Sequence, residues 1–172
     1  MTTQWFPDVK EPEGADYREH RLLIGTHTDG SVPNHIQIAT VQTPKVAPVI
    51  DDDEFDDESG EVGGYGGGRG KASAASSAQV KFQVTQCIEH GGDVNKARYQ
   101  PQNPDLIATL GEDGRILIFD RTKHPLNPTT PGKIDYQLEL VGHEREGYGL
   151  SWNPHVAGRL ASGSDDQTVL LW

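Results

Sequence analysis

His143, Ser162 and Asp166 are the three residue types of a nucleophilic triad, and Trp172 follows close behind them. A serine hydroxyl activated by an imidazole, itself oriented by a carboxylate, performs acyl transfer when the base touches an exposed nucleophile beside an oxyanion hole. That reading makes the chain a hydrolase using His143 and Ser162, and it predicts labelling by a serine-reactive probe. Residue types without geometry do not carry it, and no catalytic residue is expected. A phosphate loop fails too: Ala72 follows Gly70-Lys71 where a magnesium-binding Ser or Thr belongs, and Tyr65 holds the first glycine position. The same glycine run lacks dinucleotide-binding spacing and a βαβ setting. Seven histidines show no Cys partner and no HExxH pair, so neither metal nor cofactor is expected.

The elements that must position these side chains come from an internal repeat. Shifted by 53 positions, His90 falls on His143, Tyr99-Gln100-Pro101 on Trp152-Asn153-Pro154, Ile107-Ala108-Thr109 on Leu160-Ala161-Ser162, Asp113 on Asp166 and Phe119 on Trp172. A looser copy opens the chain with Trp5-Phe6-Pro7, Leu22-Leu23-Ile24-Gly25-Thr26 and a third strand over His35–Val41. Each copy holds short apolar or alternating segments bounded by Gly, Pro, Asn and Asp, which is strand punctuation. Val80, Phe82 and Val84 alternate with polar residues as a half-buried strand does. Ile116–Phe119 and Val169–Trp172 are apolar throughout, as strands covered on both faces are.

This is the WD-repeat pattern, in which four-stranded blades pack radially into a propeller. Residues 1–89 are read as blade one, with a long acidic and glycine-rich loop over 44–79. Residues 90–141 form blade two and 142–172 three strands of blade three. The fold class is all-β, an incomplete propeller of about two and three-quarter blades. An insertion over Arg121–Ile134, with Pro125, Pro128 and Pro131, is read as an exposed loop. So few blades leave faces and edges open; the chain is read as a fragment that aggregates or forms a molten oligomer when expressed alone.

In similar WD repeats, His, Ser or Thr, Asp and Trp at the stations of His143, Ser162, Asp166 and Trp172 form a buried hydrogen-bond chain pinning the entry loop to its strands. That structural role competes with the triad, because a buried polar network stabilises only when every member is satisfied. Phe119 at the Trp station should leave blade two one donor short.

Composition narrows the function classes. One cysteine, Cys87, excludes an internal disulfide and fits a reducing compartment. No membrane span or secretory signal is read. A formal charge of −11 opposes a phosphate backbone and favours basic partners, so direct nucleic-acid binding is not expected. The run Asp51–Glu58 and the glycines of 63–70 read as a solvated linker, with a docking strip for basic segments as the alternative.

The segment Gly142-His143-Glu144-Arg145-Glu146-Gly147-Tyr148-Gly149-Leu150-Ser151-Trp152-Asn153-Pro154 resembles the retinoblastoma-binding and chromatin-assembly histone chaperones, a family that includes the second subunit of type B histone acetyltransferase. Gln4-Trp5-Phe6-Pro7-Asp8-Val9, Asn95–Pro104 and Phe119–Pro125 are similar to the same family. The resemblance implies a seven-bladed, nuclear, non-enzymatic scaffold that binds histones and subunits of chromatin complexes. It further implies that loops entering the inner strands grip basic peptide segments. Matching positions are Asp93, Asn95, Glu146 and Tyr148, whose carboxylates would attract Lys and Arg while the aromatic offers a cation–π face. The family's other histone site needs a preceding helix and a late-blade acidic loop, both outside this sequence. The alternative reading is a generic WD adaptor such as a substrate receptor of a ubiquitin ligase.

Overall fold

The computed structural model describes residues 2–28, 30, 32–45 and 81–172. The acidic run, the glycine run with Gly70-Lys71, and Val80 lie outside the described residues.

Three antiparallel sheets follow one another along the chain. The first contains β1 (Thr2–Lys10), β2 (Tyr17–Gly25), β3 (Asn34–Pro44) and β4 (Lys81–His90) in that order. The second contains β5 (Val94–Gln100), β6 (Asn103–Gly111), β7 (Ile116–Asp120) and β8 (Leu138–Leu140). β9 (Gly147–Trp152), β10 (Leu160–Ser164) and β11 (Val169–Leu171) make the third. Each strand pairs with its sequence neighbour, so short turns suffice; in the β6–β7 turn Gly114 takes φ +76°, where a side chain would be strained.

Strand periodicity explains how the continuous apolar run of β7 is used. Ile107 pairs with Phe119 and Ala108 with Ile118. The Ile107–Phe119 face, with Leu117, joins Phe6, Leu23, Ile36, Ile38 and Ile88 in a core between the first and second sheets. The opposite face, with Leu110, Ile116 and Ala108, packs against Leu150 and Leu160 of the third sheet. β7 is therefore buried on both sides, and its full burial contributes ~1.5–3 kcal/mol per large apolar side chain. Equivalent stations meet equivalent surroundings: Tyr99 stacks on Phe6 of the preceding sheet, and Trp152 donates its indole N–H to the Arg98 carbonyl of the preceding sheet at 2.9 Å. β1, β5 and β9 lie side by side along one edge of the stack. The architecture is an incomplete β-propeller.

Three expectations change. β4 is a strand, but Phe82 and Val84 are exposed, because no neighbouring sheet lies over its first half among the described residues. Val169 and Leu171, expected to be covered on both faces, are 74% and 84% exposed, since among the described residues the outer face of the third sheet meets no further sheet. The insertion is not a free loop: it folds back along β4, with the Cys87 N–H donating to the Leu126 carbonyl at 2.8 Å.

Candidate functional site

The loops entering β5 and β9 bring three of the four residues implied by the resemblance into direct contact. The Tyr148 hydroxyl donates to Glu146 Oε2 at 3.0 Å, and Asn95 Nδ2 approaches the same oxygen at 3.4 Å. Asn95 is buried, and its Oδ1 has no partner among the described residues. Tyr148 is half exposed. Its hydroxyl pKa is raised, first by the hydrogen bond to Glu146 and its charge, then by desolvation and the charges of Asp165 and Asp93. The local potential is thus strongly negative.

Asp93 belongs to a different set of contacts. One carboxylate oxygen accepts the Thr28 N–H at 3.1 Å and the Asn34 side-chain amide at 2.9 Å; the other lies 3.1 Å from His27 Nε2. It reaches Tyr148 through its field while tying the β2–β3 loop to the start of β5.

Glu112, Arg145, Glu146 and Asp165 line a concavity beside Tyr148. Sequence reasoning missed Glu112 and Asp165, having read their turns only as turn chemistry. The signal was present in the repeat, since these two acids fall on one station, as do Asp93 with Glu146 and Asn95 with Tyr148. Local backbone bonds hold the concavity: the Asp165 N–H donates to the Glu146 carbonyl at 2.9 Å, and the Ser164 hydroxyl lies 2.8 Å from the carbonyls of both Arg145 and Glu146.

His143, Ser162, Asp166 and Trp172 make one connected chain. The Trp172 indole N–H donates to Ser162 Oγ at 2.8 Å, and Ser162 Oγ lies 2.7 Å from His143 Nε2. His143 Nδ1 lies 2.9 Å from Asp166 Oδ2, which also accepts the Glu144 N–H at 3.0 Å. One tautomer satisfies every member: Nδ1–H donates to Asp166, and Nε2 accepts the Ser162 hydroxyl proton. The Thr168 hydroxyl, the Glu144 and Thr168 amides and His143 together hold the Asp166 carboxyl well below the usual carboxylate range. The distances resemble those of a hydrolytic triad, but Ser162 is 2% exposed and its oxygen already accepts the indole, so a substrate carbonyl has no approach.

The second sheet holds a reduced version. His90 Nδ1 lies 2.8 Å from the Gly92 carbonyl and Nε2 lies 3.0 Å from Thr109 Oγ1, with the Phe119 ring beside the imidazole. The aspartate has also left the chain, a loss beyond the missing indole. Arg115, at the station of Thr168, draws Asp113 away with Nε–Oδ2 at 2.7 Å. Burial pushes the His90 pKa down, against the opposing influence of the Gly92 carbonyl. Among the described residues no group of three or more His, Cys, Asp or Glu side chains is placed to hold a metal ion, and no helix is long and apolar enough to cross a membrane.

The family model for the histone-binding protein RBBP4, or the equivalent component of the CAF1 complex, matches residues 1–45. Proteins named histone acetyltransferase type B subunit 2 are similar over the whole chain: 61% identical in Gibberella zeae, 56% in Neurospora crassa and 53% in Aspergillus fumigatus. Each alignment takes in 100% of this chain but only 38%, 37% and 38% of the respective relative. A chain in a structure of a humanized mutant of the Chaetomium thermophilum Polycomb Repressive Complex 2 aligns at 13% identity and TM-score 0.45, covering 99% of this chain and 37% of that one. Matched along its entire length at up to 61% identity, the chain belongs to the family of histone acetyltransferase type B subunit 2.

Proposed function

We propose that the chain is part of a non-enzymatic, histone-binding scaffold subunit of nuclear chromatin-assembly or chromatin-modifying complexes, and that the concavity at Glu146 grips a basic segment of a histone tail. The observation that carries this is one carboxylate oxygen, Glu146 Oε2, held by both Tyr148 and Asn95 beside Glu112 and Asp165. A carboxylate fixed in place gives up little freedom when a guanidinium or ammonium arrives, and the exposed Tyr148 ring adds a cation–π face worth ~0.5–2 kcal/mol. The charge of −11 steers basic segments toward the surface. The relatives' names and the histone-binding description over residues 1–45 support the partner class. The scaffold role follows from a Ser162 that is bonded and buried rather than offered to a substrate.

Calorimetry of the complete protein with an Arg- and Lys-rich histone-tail peptide tests this. Glu146→Lys places a like charge against the ligand, and affinity should fall by ~10–100-fold. Unchanged affinity removes Glu146 from the site.

A further inference from the structure

The segment joining β7 to β8 serves the first sheet as much as the second. It begins with a 3-10 turn, Arg121–Lys123, and runs to Ile134 along β4, the edge strand of the first sheet. The Cys87 N–H donates to the Leu126 carbonyl at 2.8 Å, and Glu89 accepts the Gly132 N–H further along. At the other end stands Gln86, which is buried. Its Nε2 faces three backbone carbonyls, those of Arg121 at 2.9 Å, His124 at 3.1 Å and Pro125 at 3.3 Å. These carbonyls end a short turn and would otherwise lack donors, so one side-chain amide satisfies a convergence the backbone cannot. A bulge puts Gln86 in place: Ile38 pairs with Gln86 but Ala39 with Val84, and the Thr85 left between them bonds the Ile38 carbonyl through its hydroxyl at 3.0 Å.

An edge strand offers unpaired N–H and C=O groups to any other strand. The strap supplies an acceptor to β4, while Pro125, Pro128 and Pro131 give its own backbone three positions without an N–H. It covers an edge without becoming a new one. We propose that Arg121–Ile134 is a guard that keeps β4 from pairing with a strand of a second copy of this chain, and that Gln86 is the positioning residue that latches it.

The test uses the 172-residue chain. In Gln86→Leu the three carbonyls lose their donor, the strap lifts, and exchange of the Cys87 amide should quicken by about ten-fold or more. Sedimentation across a concentration series should then show more self-association than the parent. Adding Gln83→Lys, a charge on the exposed first half of the same strand, should return it to the parent level. Unchanged Cys87 exchange overturns the latch. Faster exchange without added association, or association that Gln83→Lys leaves in place, overturns the guard. Should Gln86→Leu fail to fold, Glu89→Leu releases the Gly132 end and is read by the same two measurements.

Discussion

Asn34 and Asp93 are joined across the first two sheets, the Asn34 side-chain amide donating to the Asp93 carboxylate at 2.9 Å. The same carboxylate takes the Thr28 amide and faces His27. Its side chain is only 16% exposed, so Asp93→Ala leaves two donors without their acceptor in a poorly hydrated place. Urea denaturation should show a loss of about 1–3 kcal/mol. Peptide affinity should fall less than it does for Glu146→Lys. The opposite ranking, with intact stability and lost binding, would move Asp93 from the sheet junction into the binding mouth.

Trp172→Phe places in the third sheet the residue that Phe119 supplies in the second. The variant removes the indole donor to Ser162 at 2.8 Å and keeps an aromatic beside His143. A cost of about 0.5–1.5 kcal/mol is expected. Ser162→Ala removes the acceptor of that same bond, so the double variant should cost less than the two single changes summed. Strict additivity in a double-mutant cycle would show that the indole and hydroxyl are not coupled.

The repeat alone makes this network legible, because a station that recurs with its neighbours reports a shared position in a sheet. It also makes the ends of the strands legible, through Gly, Pro and Asp at the turns. Burial is less so. Alternation at Phe82 and Val84 records which side of a strand is apolar, whereas exposure depends on whether another sheet lies over it. The docking of Arg121–Ile134 is hidden for a related reason: its anchor, Gln86, sits in a different sheet, and nothing local to the prolines points there. Asp113 is misleading in sequence because the decisive residue is its neighbour Arg115, whose charge draws the carboxylate away from His90. Glu112 and Asp165 share a station and can be found by asking which acids the repeat stacks beside Glu146.

Acid should weaken the fold in two windows. Burial lowers the His90 pKa in the folded chain, so below about pH 6.5 the unfolded chain binds more protons and stability declines from there. Asp166 is also shifted down, chiefly by the Thr168 hydroxyl; its contribution is complete above about pH 4 and drains away as pH falls toward its folded value. Urea midpoints between about pH 7.5 and 3 would resolve the two. Asp166→Asn should flatten the lower limb alone, and a midpoint constant from about pH 7 to 5 would contradict the role given to His90.

Tyr148 provides a direct probe of the potential in the mouth. Its hydroxyl ionises above the ordinary tyrosine range because Glu146 accepts its proton and carries charge beside it. Glu146→Gln removes that charge, so the Tyr148 pKa should move down toward the ordinary value of ~10 without fully reaching it, since Asp165 and Asp93 remain. An NMR titration of the Tyr148 ring would follow this. An unmoved pKa would mean that Glu146 does not set the field at that ring.

Gly147 sets how closely β9 can approach β10, and through that where Glu146 and Tyr148 stand. A Cβ at this position would lie 2.5 Å from the Gly163 carbonyl oxygen and 2.8 Å from Leu110 Cδ2. The leucine methyl can turn aside, but the carbonyl belongs to the paired strand and moves only with it. Gly147 also pairs with Ser164 where the β9–β10 register is already irregular, leaving little slack to absorb a shift. Gly147→Ala should therefore push the strands apart, costing about 1–3 kcal/mol and weakening peptide binding as Glu146 is displaced. At Gly149 the nearest atoms to such a Cβ are the Gly163 nitrogen at 3.2 Å and its Cα at 3.3 Å, so Gly149→Ala should be milder. Denaturation midpoints and calorimetry on the pair test the order. Equal stabilities would mean that the two strands yield freely, and that the spacing of the mouth is not governed by this contact.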